Sequence, residues 1–235
     1  MATQAQYLEE LDKLVPGSLS LGDAEKLKAI KKALETHSKY RPRRIVEDVS
    51  GADAFDYALA SLSCWDADFS RILSIEYPVD EAGTAVNEID NEDWTIYEKP
   101  TGLFLRFLGL MPETGKSIRL TYTARHKMAE EDPEPACTVP AADTEAVQAL
   151  SAAYFCRMLA ASYAQDQDST IAADSVDHSS KRREYEAQAA KYRAEYDEHV
   201  GVSKDGGPKP ACLIQDQDVS YPNGWDRLTH PRRWR

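Results

Sequence analysis

Residues 143–164 constrain the fold more than any other part of the chain. Read as a helix, Asp143–Ala164 places Val147, Leu150, Tyr154, Phe155, Met158 and Leu159 around most of its circumference, with alanines between them. A helix that is apolar on more than one side has to be buried between neighbours. One neighbour is close in sequence. Across residues 178–199, Tyr185, Ala189, Tyr192 and Tyr196 recur at steps of four, three and four, a stripe that packs on a partner helix, and Gly201 ends it. A single tyrosine and alanine stripe cannot cover the whole of 143–164, so a third wall is required. Residues 23–38 supply it: Leu27, Ile30 and Leu34 share one face, and Lys28, Lys31, Lys32 and Glu35 the other. Ser20 or Asp23 is placed to cap this helix, and Arg41-Pro42 stops it, because the residue before proline is pushed out of the α region. A short helix over 3–14 precedes it and ends at Val15-Pro16-Gly17.

Between these helical regions the texture changes. Six stretches read as strands: Arg44–Val49, Phe55–Leu59, Phe69–Tyr77, Asp93–Tyr97, Leu103–Leu108 and Ile118–Ala124. Turn residues separate them at Ser50-Gly51, Pro78, Gly83, Pro100-Thr101-Gly102 and Pro112 to Gly115. Short strands at this spacing predict a small antiparallel sandwich or barrel. The expected fold class is α+β: a helical bundle built from the N- and C-terminal helices, an inserted antiparallel β domain and an extended C-terminal tail. The expected divisions are 1–42 for the first bundle helices, 43–130 for the β domain, 131–200 for the second helical hairpin and 201–235 for the tail. Glu130–Pro140 is an acidic, proline-rich linker within that scheme.

Composition narrows the class. The chain has 235 residues, of which 42% are hydrophobic and 29% charged, enough to bury a core without cross-links. Cys64, Cys137, Cys156 and Cys212 are scattered, which fits free thiols in a reducing compartment better than a disulfide framework. No apolar run reaches the ~18 residues of a membrane span, and the N-terminus does not read as a signal peptide. The net charge of −12 argues against general nucleic-acid binding, yet its distribution is uneven. From Lys26 to Arg44 there are eight basic residues and one acid, Glu35; from Ser74 to Glu98 there are eight acids and no base. Segregation of this kind suits subunits of opposite polarity meeting one another. Lys26, Lys28, Lys31, Lys32, Arg41, Arg43 and Arg44 are therefore candidate residues of an electrostatic interface, or of the lining of a DNA channel.

Three patterns resemble chemistry and fail on their own terms. Pro112-Glu113-Thr114-Gly115-Lys116-Ser117 looks like the end of a phosphate-binding loop, but Leu110 stands where a glycine is needed and a strand follows instead of a helix. A hairpin turn is the expected structure. Asp166, Asp168, Thr170, Asp174 and Asp177 have offsets like those of a calcium loop, but Ile171 replaces the turn glycine and Asp177 the bidentate glutamate. The five histidines, His37, His126, His178, His199 and His230, form no pair at metal spacing. No catalytic residue, cofactor site or metal site is therefore assigned, and the expected role is structural and partner-binding, not enzymatic.

The tail, Val202–Arg235, has no periodic apolar face, yet it carries residues that are costly to leave in water. Leu213, Ile214, Tyr221, Trp225, Leu228 and Trp234 are candidate anchors on a partner, and Arg232, Arg233 and Arg235 candidate partners of acidic groups or phosphate.

In order and texture, Phe69–Val79, Asp93–Tyr97, Leu103–Leu108, Ile118–Tyr122, the alanine-rich helix, Ser169–Asp177 and the tyrosine-rich Arg183–Tyr196 helix resemble the head-to-tail adaptor (connector, neck) proteins of tailed bacteriophages. The likeness covers roughly residues 43–200 and contains no invariant chemical motif. It implies a virion subunit, made in the host cytoplasm, that forms a ring, typically twelvefold, beneath the portal. It also implies a helical bundle, a terminal segment docked into the portal, contact with a tail, stopper or terminator protein, possible non-specific contact with packaged DNA, no membrane and no cofactor. The β segment departs from the simplest all-helical adaptors. That leaves two other readings, a tail-terminator or baseplate-type β protein and an enzyme with an unrecognised site.

Overall fold

A computed structural model describes residues 3–16, 21–79, 87–128, 137–165 and 178–202. The fold is α+β, with four helices and two small antiparallel sheets. Helix α1 (Gln4–Leu14) opens with a capping box: the Gln6 amide donates to Thr3 Oγ1, and the Thr3 amide donates to Gln6 Oε1. Helix α2 (Asp23–Tyr40) takes Gly22 as its N-cap, with no side-chain cap bond. Asp23, expected as a possible cap, is instead the first helical residue, and with Glu25 it puts negative charge against the positive end of the helix dipole. Pro42 ends α2, and Arg41 occupies the C-cap with its amide on the His37 carbonyl.

Helix α3 (Ala141–Gln165) is the axis of the bundle. Val147, Leu150, Ala152, Phe155, Cys156 and Leu159 are buried in it, as the apolar circumference requires. Helix α4 (His178–Val200) lies along one side through Tyr185, Ala189, Tyr192 and Tyr196. Ile30, Ala33 and Leu34 of α2 close the next side, and Tyr7 and Leu11 of α1 join the same core. Tyr192 donates its hydroxyl to the Leu14 carbonyl at 2.7 Å, fastening α4 to the end of α1. Among the described residues no helix is long and apolar enough to cross a membrane.

All six expected strands form. They are β1 (Arg43–Ser50), β2 (Asp56–Ala58), β3 (Ile72–Glu76), β4 (Trp94–Lys99), β5 (Gly102–Phe107) and β6 (Ser117–Ala124), with one short 3-10 helix at Leu59–Ser61. They divide into a β1–β6–β3 sheet and a β2–β5–β4 sheet, every pairing antiparallel. Ile75, Ile118, Leu120 and Tyr122 from the first sheet and Tyr57, Leu105 and Phe107 from the second share one apolar cluster, so the arrangement is a small sandwich. The segment 112–117 leads into a strand as expected, but it is not a hairpin. It carries the chain from β5 in one sheet to β6 in the other, and its turn closes with the Lys116 amide on the Glu113 carbonyl. Gly51 packs beneath this turn so closely that a Cβ there would lie 2.2 Å from the Glu113 carbonyl oxygen.

Candidate interaction surfaces and the polar joint

A dense cluster of titratable side chains lies where the β insertion meets the bundle. Burial of Asp143 in the first turn of α3 would raise its pKa. The His199 imidazole, 2.8 Å away, and the Arg41 guanidinium overturn that and hold the carboxyl below its ordinary range. Arg41 also donates to the His199 carbonyl at 3.2 Å. His37 is fully buried, with Nδ1 3.2 Å from the Tyr196 hydroxyl and Nε2 3.7 Å from Asp143, beyond hydrogen-bond reach. Burial, assisted by the neighbouring His126, pushes its pKa down to about 4, so it is neutral near pH 7. On the β side, His126 Nε2 lies 2.9 Å from the Arg41 carbonyl, and Nδ1 lies 3.0 Å from the Thr138 carbonyl and 3.2 Å from the Thr138 hydroxyl. Its amide donates to Ser38 Oγ at 2.9 Å. The His37 and His126 rings stand 5.3 Å apart.

Asp143 and His37 are buried in this cluster, while the His199 and Arg41 side chains reach its solvent side at 36% and 42% exposure. What the cluster does is pin together the end of α2, the residues after β6, the start of α3 and the end of α4. Sequence spacing does not reveal it, because its members stand at 37, 38, 41, 126, 138, 143, 196 and 199 and meet only through the fold. Among the described residues no group of three metal-ligating side chains is arranged to hold an ion. Cys137 and Cys156 are buried, and burial pushes the Cys156 thiol up to about 11, far from the reactive range.

The basic segment does not form one surface. Lys26 is only 8% exposed, and its ammonium lies 2.7 Å from Asp12 and 3.1 Å from Asp23, so its charge links α1 to α2 inside the bundle. Arg41 belongs to the polar joint. Lys28, Lys31 and Lys32 keep to the exposed face of α2, Lys28 3.8 Å from Glu25 and Lys32 5.1 Å from the centre of the Tyr154 ring. Arg43 and Arg44 open β1, and Arg44 is exposed on the outer face of its sheet, beside a concavity of about 430 Å³ that Leu73, Glu76, Glu88 and Arg119 also line. The sandwich presents further exposed apolar side chains. Val46, at 57% exposure, lies on β1, while Phe55, Leu108 and Met111 lie toward the end remote from the bundle, near the 112–117 crossing.

Leu213, Ile214, Tyr221, Trp225, Leu228, Arg232, Arg233, Trp234 and Arg235 lie outside the described residues, as do the aspartates of the loop at 166–177. No family model matches the sequence, and no curated protein matches it. Among solved structures, a chain described as the neck of a native GTA particle, computed with C12 symmetry, is similar at 15% identity. The match covers 79% of this chain and 91% of that one, with a TM-score of 0.28.

Proposed function

We propose that this chain is a structural virion protein, a ring-forming head-to-tail adaptor that joins a portal to a tail or neck component around the DNA channel. The observation that carries the reading is the order of the fold. Helices from both ends of the described chain build one bundle, as the resemblance to adaptor proteins leads one to expect, while the sandwich inserted between them departs from the simplest all-helical adaptors. The structural use of this polar cluster supports the same reading, because its hydrogen bonds tie the end of α2, the residues after β6, the start of α3 and the end of α4 into one joint.

Within that subunit, residues 1–42 and 131–200 are the bundle, 43–130 the β domain and 201–235 the docking tail. Lys28, Lys31 and Lys32 face an acidic neighbour or DNA. Single mobile surface pairs contribute little, ~0–1 kcal/mol, so the summed field of the three is what acts. The tail docks on a neighbouring subunit or the portal through Trp225 and Trp234, with Arg232, Arg233 and Arg235 on acidic groups or phosphate. Fully extended at ~3.3 Å per residue, it reaches up to ~110 Å.

Electron microscopy of the purified full chain is the direct test. A cyclic ring of about twelve subunits is expected; sixfold symmetry would move the chain to the tail components, and a monomer with a ligand-filled pocket would overturn the structural role. Deleting residues 203–235 should leave a folded protein that no longer joins heads to tails. Full infectivity of particles carrying the truncation would refute the tail's role.

A further inference from the structure

Strand β1 is an edge strand. It pairs with β6 in an unbroken eight-residue register, Arg43 opposite Ala124 through Ser50 opposite Ser117, and its other edge has no backbone partner among the described residues. Edges of this length are ordinarily blunted by proline, a bulge or a covering segment, because a free row of amides and carbonyls templates pairing with another chain. Neither proline nor bulge interrupts β1. Its exposed face carries Arg44, Val46 and Asp48: a cation, an apolar side chain more than half exposed and an anion, each two residues from the next.

That spacing is self-complementary. If two β1 strands run antiparallel about an axis through Val46, the two Val46 side chains lie opposite one another, and each Arg44 lies opposite the other copy's Asp48. Directly opposed residues in an antiparallel pair share a face, so these are true side-chain pairs. No carboxylate lies within ion-pair distance of Arg44 among the described residues, so it is free to engage. Asp48 already accepts two bonds from Arg119, at 2.8 and 2.9 Å, and stays partly exposed, so a second cation can reach it. Glu47, on the opposite face, remains with its own Tyr122 and Ser63.

We infer that β1 is a homotypic docking edge: two copies of this chain join β1 to β1 across a two-fold axis at Val46, fusing two three-stranded sheets into one of six strands. The contact is isologous, so it cannot by itself close a ring. It is independent of the adaptor reading. In a cyclic assembly it pairs rings face to face and doubles the subunit number; in the free protein it gives a dimer.

The test uses the full chain with Val46→Lys and Val46→Glu, substitutions at an exposed position that should leave the thermal transition unchanged. Sedimentation velocity should show wild type pairing two by two. Each variant alone should weaken pairing at least about tenfold, because like charges oppose at the axis, and an equimolar mixture of the two should restore it. Unaltered pairing by both variants would overturn the inference, as would failure of the mixture to pair or a wild type with no even-numbered species. Loss of pairing on deletion of residues 203–235 would also overturn it, naming the tail as the occupant of the edge. A single unpaired ring would sink this contact and leave the adaptor reading standing, whereas a dimer without any ring would do the reverse.

Discussion

At the scale of single residues, His37 decides how the molecule responds to acid. Its folded pKa lies below the ordinary histidine value of about 6.5 because charging it means placing a cation in the interior among Arg41, His126 and His199. The unfolded chain therefore binds a proton more readily than the folded one, and stability falls as pH drops from about 6.5 toward about 4. Asp143 works against this depression, because its carboxylate favours a charged His37, and it is itself held ionised by His199 and Arg41, so its own contribution is lost only further down, through the carboxylate range. The His37 contribution is full above pH 6.5 and amounts to roughly 3 kcal/mol. His37→Gln should flatten the dependence of the denaturation midpoint on pH between 7 and 5, at some cost in stability at pH 7. An unchanged slope would show that His37 is not the group that titrates. None of this was legible in the sequence, where His37 is one of five isolated histidines and only folding brings His126, Asp143 and His199 to it.

At the scale of elements, periodicity was a reliable guide and pairing was not. The four helices and six strands fall within a few residues of where the apolar patterns put them, because each pattern reflects burial on one face of one element. A sandwich was among the expectations, but which strand joins which sheet was not readable. The segment 112–117 looks like a hairpin because turn residues mark a reversal without naming the strand that follows on the other side. The same distinction separates two positions on α3. Leu159 is fully buried, and Leu159→Asp should cost ~3 kcal/mol or more by leaving a charge unpaired. Tyr154 is only partly buried, with its hydroxyl 2.9 Å from Thr36 and Lys32 over its ring, so Tyr154→Asp finds a cation beside it and should cost distinctly less. Chemical denaturation of both variants checks the order, and equal losses would contradict this packing.

At the scale of the whole molecule, charge segregation in the sequence overstates charge segregation on the surface. Eight basic residues in nineteen positions read as one patch, but α2 turns Lys26 inward, the polar joint absorbs Arg41, and the helix end and β1 send the others in different directions. Only Lys28, Lys31 and Lys32 remain as a coherent exposed group. Reversing these three to glutamate should impair assembly of the particle while leaving the fold intact by circular dichroism. Normal assembly together with normal DNA passage in that variant would remove them from any interface.

The polar joint has a further consequence, in terms of inheritance. The chain leaves the bundle at Arg43 and returns at Ala124, and these two residues are register partners in adjacent strands. Opposed Cα atoms in such a pair stand only about 4.5–5.5 Å apart. The whole sandwich is thus a graft on a stem one strand-pair wide, and its host helices can be spliced beneath it without changing their path. A chain in which residues 43–124 are replaced by a two-residue link keeps the His126 contacts with Ser38, Arg41 and Thr138, and should still fold as four helices and melt cooperatively. If it does, the bundle and the graft are free to diversify separately, one scaffold carrying different ornaments in different lineages.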